Sequence, residues 1–176
     1  TRLKASIRAT YRQIADSLPG FMPRKEQNFL VAEIAKTLTG EYDKSRRILV
    51  AEAGTGIGKT LATLFPQLKA MPAQQLDRLF FLTAKTPGRR LALDALHSLR
   101  QSALELRVLE HTAREKSCEY PDKTCHGESC PLAKGFYDRL PAAREEALQQ
   151  AWLTQQEVRR IALAHGVCPY YLSQEL

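Results

Sequence analysis

The run Ile48-Leu49-Val50-Ala51-Glu52-Ala53-Gly54-Thr55-Gly56-Ile57-Gly58-Lys59-Thr60 decides how the rest of the chain is read. Residues 48–51 form a short apolar run without alternation, the pattern of a strand buried on both faces of a parallel sheet. Residues 53–60 are a Walker A loop in its variant form, with Ala53 where the strict pattern has glycine. Glycines let successive backbone N–H groups turn toward phosphate oxygens, and the helix that follows adds the positive end of its dipole. The expected nucleotide-binding set is Ala53, Gly54, Thr55, Gly56, Ile57, Gly58, Lys59 and Thr60. Lys59 would reach the β- and γ-phosphates of ATP and the Thr60 hydroxyl would ligate Mg²⁺, which makes these two the expected catalytic residues. The plain alternative is a glycine-rich turn that only joins strand to helix; the strand–loop–helix context argues against it.

Working outward, the pattern repeats. The helix expected from Gly58 should end or kink at Pro66. Residues 79–82 read as a second buried strand, 83–86 as a loop, and Pro87 as the first residue of a helix reaching Arg100. Residues 106–109 read as a third strand. Strand–helix–strand–helix–strand predicts an α/β fold with a parallel sheet and helices on both faces. Upstream, Leu3, Ile7, Tyr11, Ile14 and Leu18 recur at helical spacing, so 2–17 reads as an amphipathic helix ended by Pro19-Gly20. A second helix starts near Pro23 or Arg24, turns Phe29, Leu30, Ile34 and Leu38 inward and stops at Gly40. Arg24 and Gln27 lie one turn apart on it; a glutamine amide can pair with donor and acceptor on an adenine edge, whereas a solvated helix face is the ordinary use of such a pair.

From His111 the text changes character, with four cysteines, Pro121, Pro131, Gly127 and Gly135. Helices are expected over 141–152 and 155–165, the second with a capping box in Thr154 and Glu157 and a stop at Gly166. Cys118, Cys125, Cys130 and Cys168 are separated by 6, 4 and 37 residues. No paired Cys-x-x-Cys knuckle of the usual zinc type occurs. Spacing alone leaves open a 4Fe–4S cluster on four thiolates, a zinc site helped by His111 or His126, and unligated buried cysteines.

The composition bounds the classes. The 176 residues suffice for one good core with a small second lobe. With 44% hydrophobic and 26% charged residues, the chain reads as neither disordered nor a membrane span, and its apolar runs fall far short of the ~20 residues a bilayer needs. The net charge of +7 is uneven: residues 1–88 hold 14 basic and 7 acidic side chains, whereas 89–176 hold 12 of each. An anionic partner should therefore be met mainly in the first half. The opening Thr1-Arg2-Leu3-Lys4, with neither methionine nor an apolar leader, is expected of an excised piece of a cytoplasmic protein.

Four features together resemble the iron–sulfur superfamily 2 DNA helicases, the XPD/DinG-like group. They are Pro23-Arg24-Lys25-Glu26-Gln27, the loop Glu52 to Thr60, the turn Thr83-Ala84-Lys85-Thr86, and a four-cysteine insert closing with Cys168-Pro169-Tyr170-Tyr171. The resemblance implies a RecA-like motor domain whose first part covers 1–110, an iron–sulfur cluster domain over 111–172, and the start of a continuation at 173–176. It also implies ATP, Mg²⁺ and a 4Fe–4S cluster ligated by Cys118, Cys125, Cys130 and Cys168. The implied activity is ATP-dependent 5′→3′ translocation on single-stranded DNA and unwinding at duplex junctions, by a monomer with no membrane partner. Thr83, Lys85 and Thr86 match the motif that contacts the DNA backbone, where hydroxyls and an ammonium can hold phosphates. An ordinary helix start at Thr86 is the bland reading of that turn. Tyr120, Phe136, Tyr137, Trp152, Tyr170 and Tyr171 could stack on bases, although packing around the cluster is the commoner use of such residues. No Asp-Glu pair of the Walker B type occurs in the sequence, so residues 1–176 by themselves are expected to bind ATP without turnover. A nucleotide-dependent sensor module and a phosphate-loop kinase are the rival classes; the kinase gives 83–86 no role.

Overall fold

A computed structural model describes residues 25–40, 48–101 and 106–176. The expected helix over 2–17, its turn and Arg24 lie outside those residues. The chain divides into two compact units, residues 1–104 and 105–176.

In the first unit, α1 (Lys25–Leu38) packs on α2 (Lys59–Gln74), and α2 packs on α3 (Thr86–Gln101). α1 buries Leu30, Val31, Ile34 and Ala35 at the i, i+4 spacing of one face, together with Gln27. Phe29, expected inward, stands 68% exposed. α2 does not break at Pro66 but runs on through Pro66 and Pro72 to Gln74. An interior proline costs a helix about 3 kcal/mol. Leu64 and Phe65, both fully buried beside it, each contribute about 1.5–3 kcal/mol, so packing outweighs the lost hydrogen bond.

The segments expected as strands differ from expectation. Residues 48–51 and 79–82 are neither helix nor strand, and Ile48, Val50, Phe80 and Leu82 are exposed. A parallel strand needs hydrogen-bonded neighbours, and no sheet is found in this unit among the described residues. The third expected strand does form, but elsewhere. β1 (Val108–Leu109) pairs in parallel with β2 (Trp152–Leu153) in the second unit, with Val108 opposite Trp152 and Leu109 opposite Leu153. Residues 106–110, expected with the motor part, therefore fold with the cysteine-bearing part.

The second unit continues with α4 (Arg114–Ser117), α5 (Phe136–Leu148), α6 (Gln155–Ala164) and α7 (Pro169–Gln174). α5 starts five residues before the expected helix at 141, because Gly135 at φ +63° turns the chain into it; Pro141 sits inside. Trp152, expected at that helix's end, lies instead in β2. α6 forms as expected. Thr154 Oγ1 accepts from the Glu157 N–H at 3.2 Å, and Gly166 ends the segment at φ +66°. The Glu157 carboxylate pairs with Arg160 at 2.7 Å, and a second cap comes from the residue after β1: the Gln155 N–H donates to Glu110 Oε2 at 2.8 Å. Hydrogen bonds from His165 and Arg160 hold the Glu146 carboxyl below its ordinary range.

The core of this unit is Phe136, Ala143, Ala147, Leu153, Val158, Ile161, Ala162, Val167 and Leu172, with Cys168 packed against it. Ile161 is fully buried. Ile161→Ala is expected to lower the stability of this unit by about 2–5 kcal/mol, read as a downward shift of its urea midpoint. An unchanged midpoint would contradict this packing.

Candidate functional site

The phosphate loop leads into α2. Gly56 and Gly58 adopt left-handed φ values of +77° and +76°, which non-glycine residues take only at a cost, and α2 starts at Lys59 immediately after. The Lys59 ammonium folds back over the loop and donates to the carbonyls of Ala53 at 2.7 Å and Gly54 at 2.6 Å. Both acceptors are neutral. Anionic phosphate oxygens in the same curl would be stronger partners for that ammonium. Thr60, half-buried in the first turn, follows it.

Gln27 meets this loop from α1. It is buried at 3% exposure, and a Cβ placed on Gly58 would collide with its Nε2. The amide therefore rests directly on the last glycine of the loop. Beside them, a cavity of about 760 Å³ opens between α1 and residues 49–57, lined by Lys25, Phe29, Val50, Ala53, Gly54 and Ile57 among others. Gln27 is not part of that lining; it backs the loop instead.

Thr83, Lys85 and Thr86 are exposed at the head of α3. The Thr83 hydroxyl closes the turn on itself, accepting from the Lys85 N–H at 3.4 Å and donating to the Lys85 carbonyl at 3.2 Å. Gly88 is needed for this closure, since a Cβ there would collide with Thr83 Oγ1.

In the second unit, Cys118, Cys125, Cys130 and Cys168 all line one small cavity of about 20 Å³, together with Arg114, Lys123, Leu132 and Tyr171. All four are free thiols. Cys118 follows the last turn of α4, and Cys168 is the N-cap of α7. Cys130 closes a tight turn, its N–H donating to the His126 carbonyl at 2.9 Å. Burial pushes the Cys168 thiol up, while the N–H groups of Tyr171 and Tyr170 draw it back toward the thiolate. Cys118 and Cys130 lie close enough for their charge to act on it as well. Lys123 lies over the Tyr120 ring at 5.2 Å.

Among the described residues, no three or more His, Cys, Asp or Glu side chains are gathered tightly enough to hold a metal ion. A zinc ion draws its sulfurs to about 2.3 Å from one point. A cluster interposes its own iron and sulfide atoms, so its thiolates stand further apart around a larger body. Four thiols lining one cavity are a donor set that either a zinc ion or an iron–sulfur cluster accepts. The histidines fit neither role. His126 Nε2 bonds to Thr124 Oγ1 at 2.7 Å, His111 Nδ1 faces Gln174 Nε2 at 3.4 Å, and neither lines the cavity.

Sequence reasoning missed the supports of this site. Arg159 on α6 grips Glu119, the neighbour of Cys118, through two bonds of 2.6 and 2.7 Å. A pair 40 residues apart has no local pattern to betray it.

These elements define a class: a phosphate-loop chain joined to a compact four-cysteine unit. The comparisons give it relatives. Over 64 residues, 36% of this chain and 9% of the relative, it is 55% identical to ATP-dependent DNA helicase DinG of Photobacterium profundum. Over 73 residues, 42% of this chain and 10% of each relative, it is 42% identical to ATP-dependent DNA helicase DinG of Escherichia coli (strain K12) and of Salmonella typhimurium. The resemblance carried by the motifs is thus borne out by relatives of that name. The chain spans about a tenth of the length of these curated relatives. No protein-family model matches it, and no solved structure matches it.

Gly58 allows a direct test of the loop. Gly58→Ala puts a Cβ into a left-handed position and against Gln27, so ATP·Mg²⁺ binding by the full-length protein should weaken at least tenfold while helix content holds. Titration with a fluorescent ATP analogue reads this. Wild-type affinity in the variant would remove the loop geometry from nucleotide binding.

Proposed function

We propose that this chain is the N-terminal portion of an ATP-dependent DNA helicase. It would couple ATP hydrolysis to 5′→3′ translocation on single-stranded DNA and to unwinding at duplex junctions. The observation that carries the reading is a pairing within one chain: a phosphate loop with two left-handed glycines, and four distant cysteines lining one cavity. The helicase relatives support it.

In this reading the N–H groups of residues 54–60 cradle the phosphates of ATP. Lys59 leaves the Ala53 and Gly54 carbonyls for the β- and γ-phosphates, and Thr60 ligates Mg²⁺. Gln27 steadies Gly58 from behind the loop, and the Arg24–Gln27 pair is assigned to the selection of adenine. Residues 48–51 and 79–82, neither helix nor strand in the described structure, would become two strands of a RecA-like parallel sheet in the whole protein, each delivering a functional loop at its C-terminal end. That ordering sets residues 83–86, with exposed Lys85 and Thr86, to hold the DNA backbone. Lys85 offers a point charge where an arginine would offer a fork.

Cys118, Cys125, Cys130 and Cys168 would hold a 4Fe–4S cluster at the strand-separation site. When bound, the cluster supplies four iron–thiolate bonds that fix the loops of this unit, and a redox centre. The chain's part is to present the thiolates and shield them. The N–H groups at the start of α7 offset part of the burial that pushes the Cys168 thiol up, and buried Leu132 shields the cavity.

The test is ATP hydrolysis by the full-length protein with and without single-stranded DNA. DNA should stimulate turnover, and Lys59→Ala should abolish it. Turnover indifferent to DNA, or phosphate delivered to a small-molecule acceptor, would contradict a helicase. Lys85→Ala should weaken single-strand binding at low salt and reduce the salt slope by about 1, with nucleotide affinity unchanged. An unchanged binding curve would return 83–86 to a plain helix start.

A further inference from the structure

Arg139 lies in the first turns of α5, where the helix dipole disfavours a cation. What it touches explains its presence. Helical side chains lean toward the N-terminus of their helix, so Arg139 reaches back over Gly135. Its Nη2 donates to the Lys134 carbonyl at 2.5 Å and approaches the Pro131 carbonyl at 3.5 Å. The same guanidinium bonds the Gly166 carbonyl twice, from Nε at 3.1 Å and from Nη2 at 2.8 Å. Two glycines leave the space it needs. A Cβ on Gly135 would lie 3.0 Å from Arg139 Nη1, and one on Gly166 would lie 3.3 Å from its Nε.

The acceptors are not scattered. Pro131 and Lys134 belong to the turn that starts at Cys130, whose carbonyl accepts from the N–H groups of Ala133 and Lys134 at 3.0 and 3.1 Å. Gly166 stands two residues before Cys168, next to Val167 in the core. One planar cation thus joins two backbone segments that each deliver a cysteine to the cavity, although 37 residues intervene between Cys130 and Cys168 in the sequence.

We infer that Arg139 is a positioning residue of the four-cysteine site, holding the Cys130 turn and the Cys168 segment at a fixed separation. The inference rests on the cluster reading of that site. Arg139 donates to carbonyls and never to the cluster, so its effect reaches the group only through the spacing of two thiolates. A lysine keeps the charge, but its single ammonium lacks the fork that spans both segments.

The experiment follows iron release from the anaerobically purified full-length protein into a ferrous chelator, read by loss of visible charge-transfer absorbance. Arg139→Ala and Arg139→Lys should both release iron about 10–100-fold faster than wild type. Arg144→Ala is the control. Arg144 makes the same kind of bond, Nε to the Glu175 carbonyl at 2.9 Å, on the same helix but with no cysteine beside its acceptor. It should release iron at the wild-type rate. Wild-type release rates in the Arg139 variants would overturn the inference, as would equal acceleration by Arg144→Ala, which would mark general loosening. Should Arg139→Ala fail to fold, Arg139→Lys decides. Wild-type protein that is colourless and free of iron would overturn the cluster reading itself, and the inference with it.

Discussion

Four sulfur atoms on separate segments of the second unit meet at one small cavity, and the chain around it is built to bring them there. Two of the cysteines are anchored at helix ends, Cys118 after α4 and Cys168 before α7. The other two, Cys125 and Cys130, sit in a stretch with no long helix or strand, where only turns and the cavity itself fix the chain. The proposed cluster would cross-link these segments, which a small unit with a modest apolar core gains from as small metal-holding domains do. Cys168 also packs against that core, so the site and the core are stabilised together. The supports come from side chains that bind backbone or neighbours of the cysteines: Arg139 on the Gly166 carbonyl and Arg159 on Glu119.

The phosphate loop follows the opposite logic. Its chemistry lies in backbone amides, so what matters there is the absence of side chains. Gly56 and Gly58 take left-handed angles, and Gln27 rests so closely on Gly58 that a methyl group there would displace its amide. Lys59, tied to two neutral carbonyls, is held where a stronger anionic acceptor would meet it. The net charge fits this division, because the basic surplus falls in the half that bears the loop and the 83–86 turn, whereas the cysteine-bearing half is balanced.

Local signals were legible in the sequence and long-range ones were not. The start of α2 after Gly58, the cap of α6 at Thr154 and its stop at Gly166 follow from single residues whose chemistry acts within one turn. The convergence of the four cysteines was readable from their number and family resemblance, but not the residues that hold them, since Arg139 and Gly166 are 27 residues apart. Pairing between strands has no local signature either. Residues 106–109 carry the apolar character of a strand, yet the partner, Trp152–Leu153, looks like the end of a helix until the register is seen. The two apolar runs at 48–51 and 79–82 illustrate the same limit, because strand character in a sequence does not supply the neighbours a sheet requires.

The central claim is that the four cysteines hold one iron–sulfur cluster in a chain that also binds ATP. The most direct measurement is the iron, acid-labile sulfide and zinc content of the anaerobically isolated full-length protein. The account predicts about four iron and four sulfide per chain, with a visible charge-transfer band and no stoichiometric zinc. One zinc per chain with neither iron nor sulfide would contradict it.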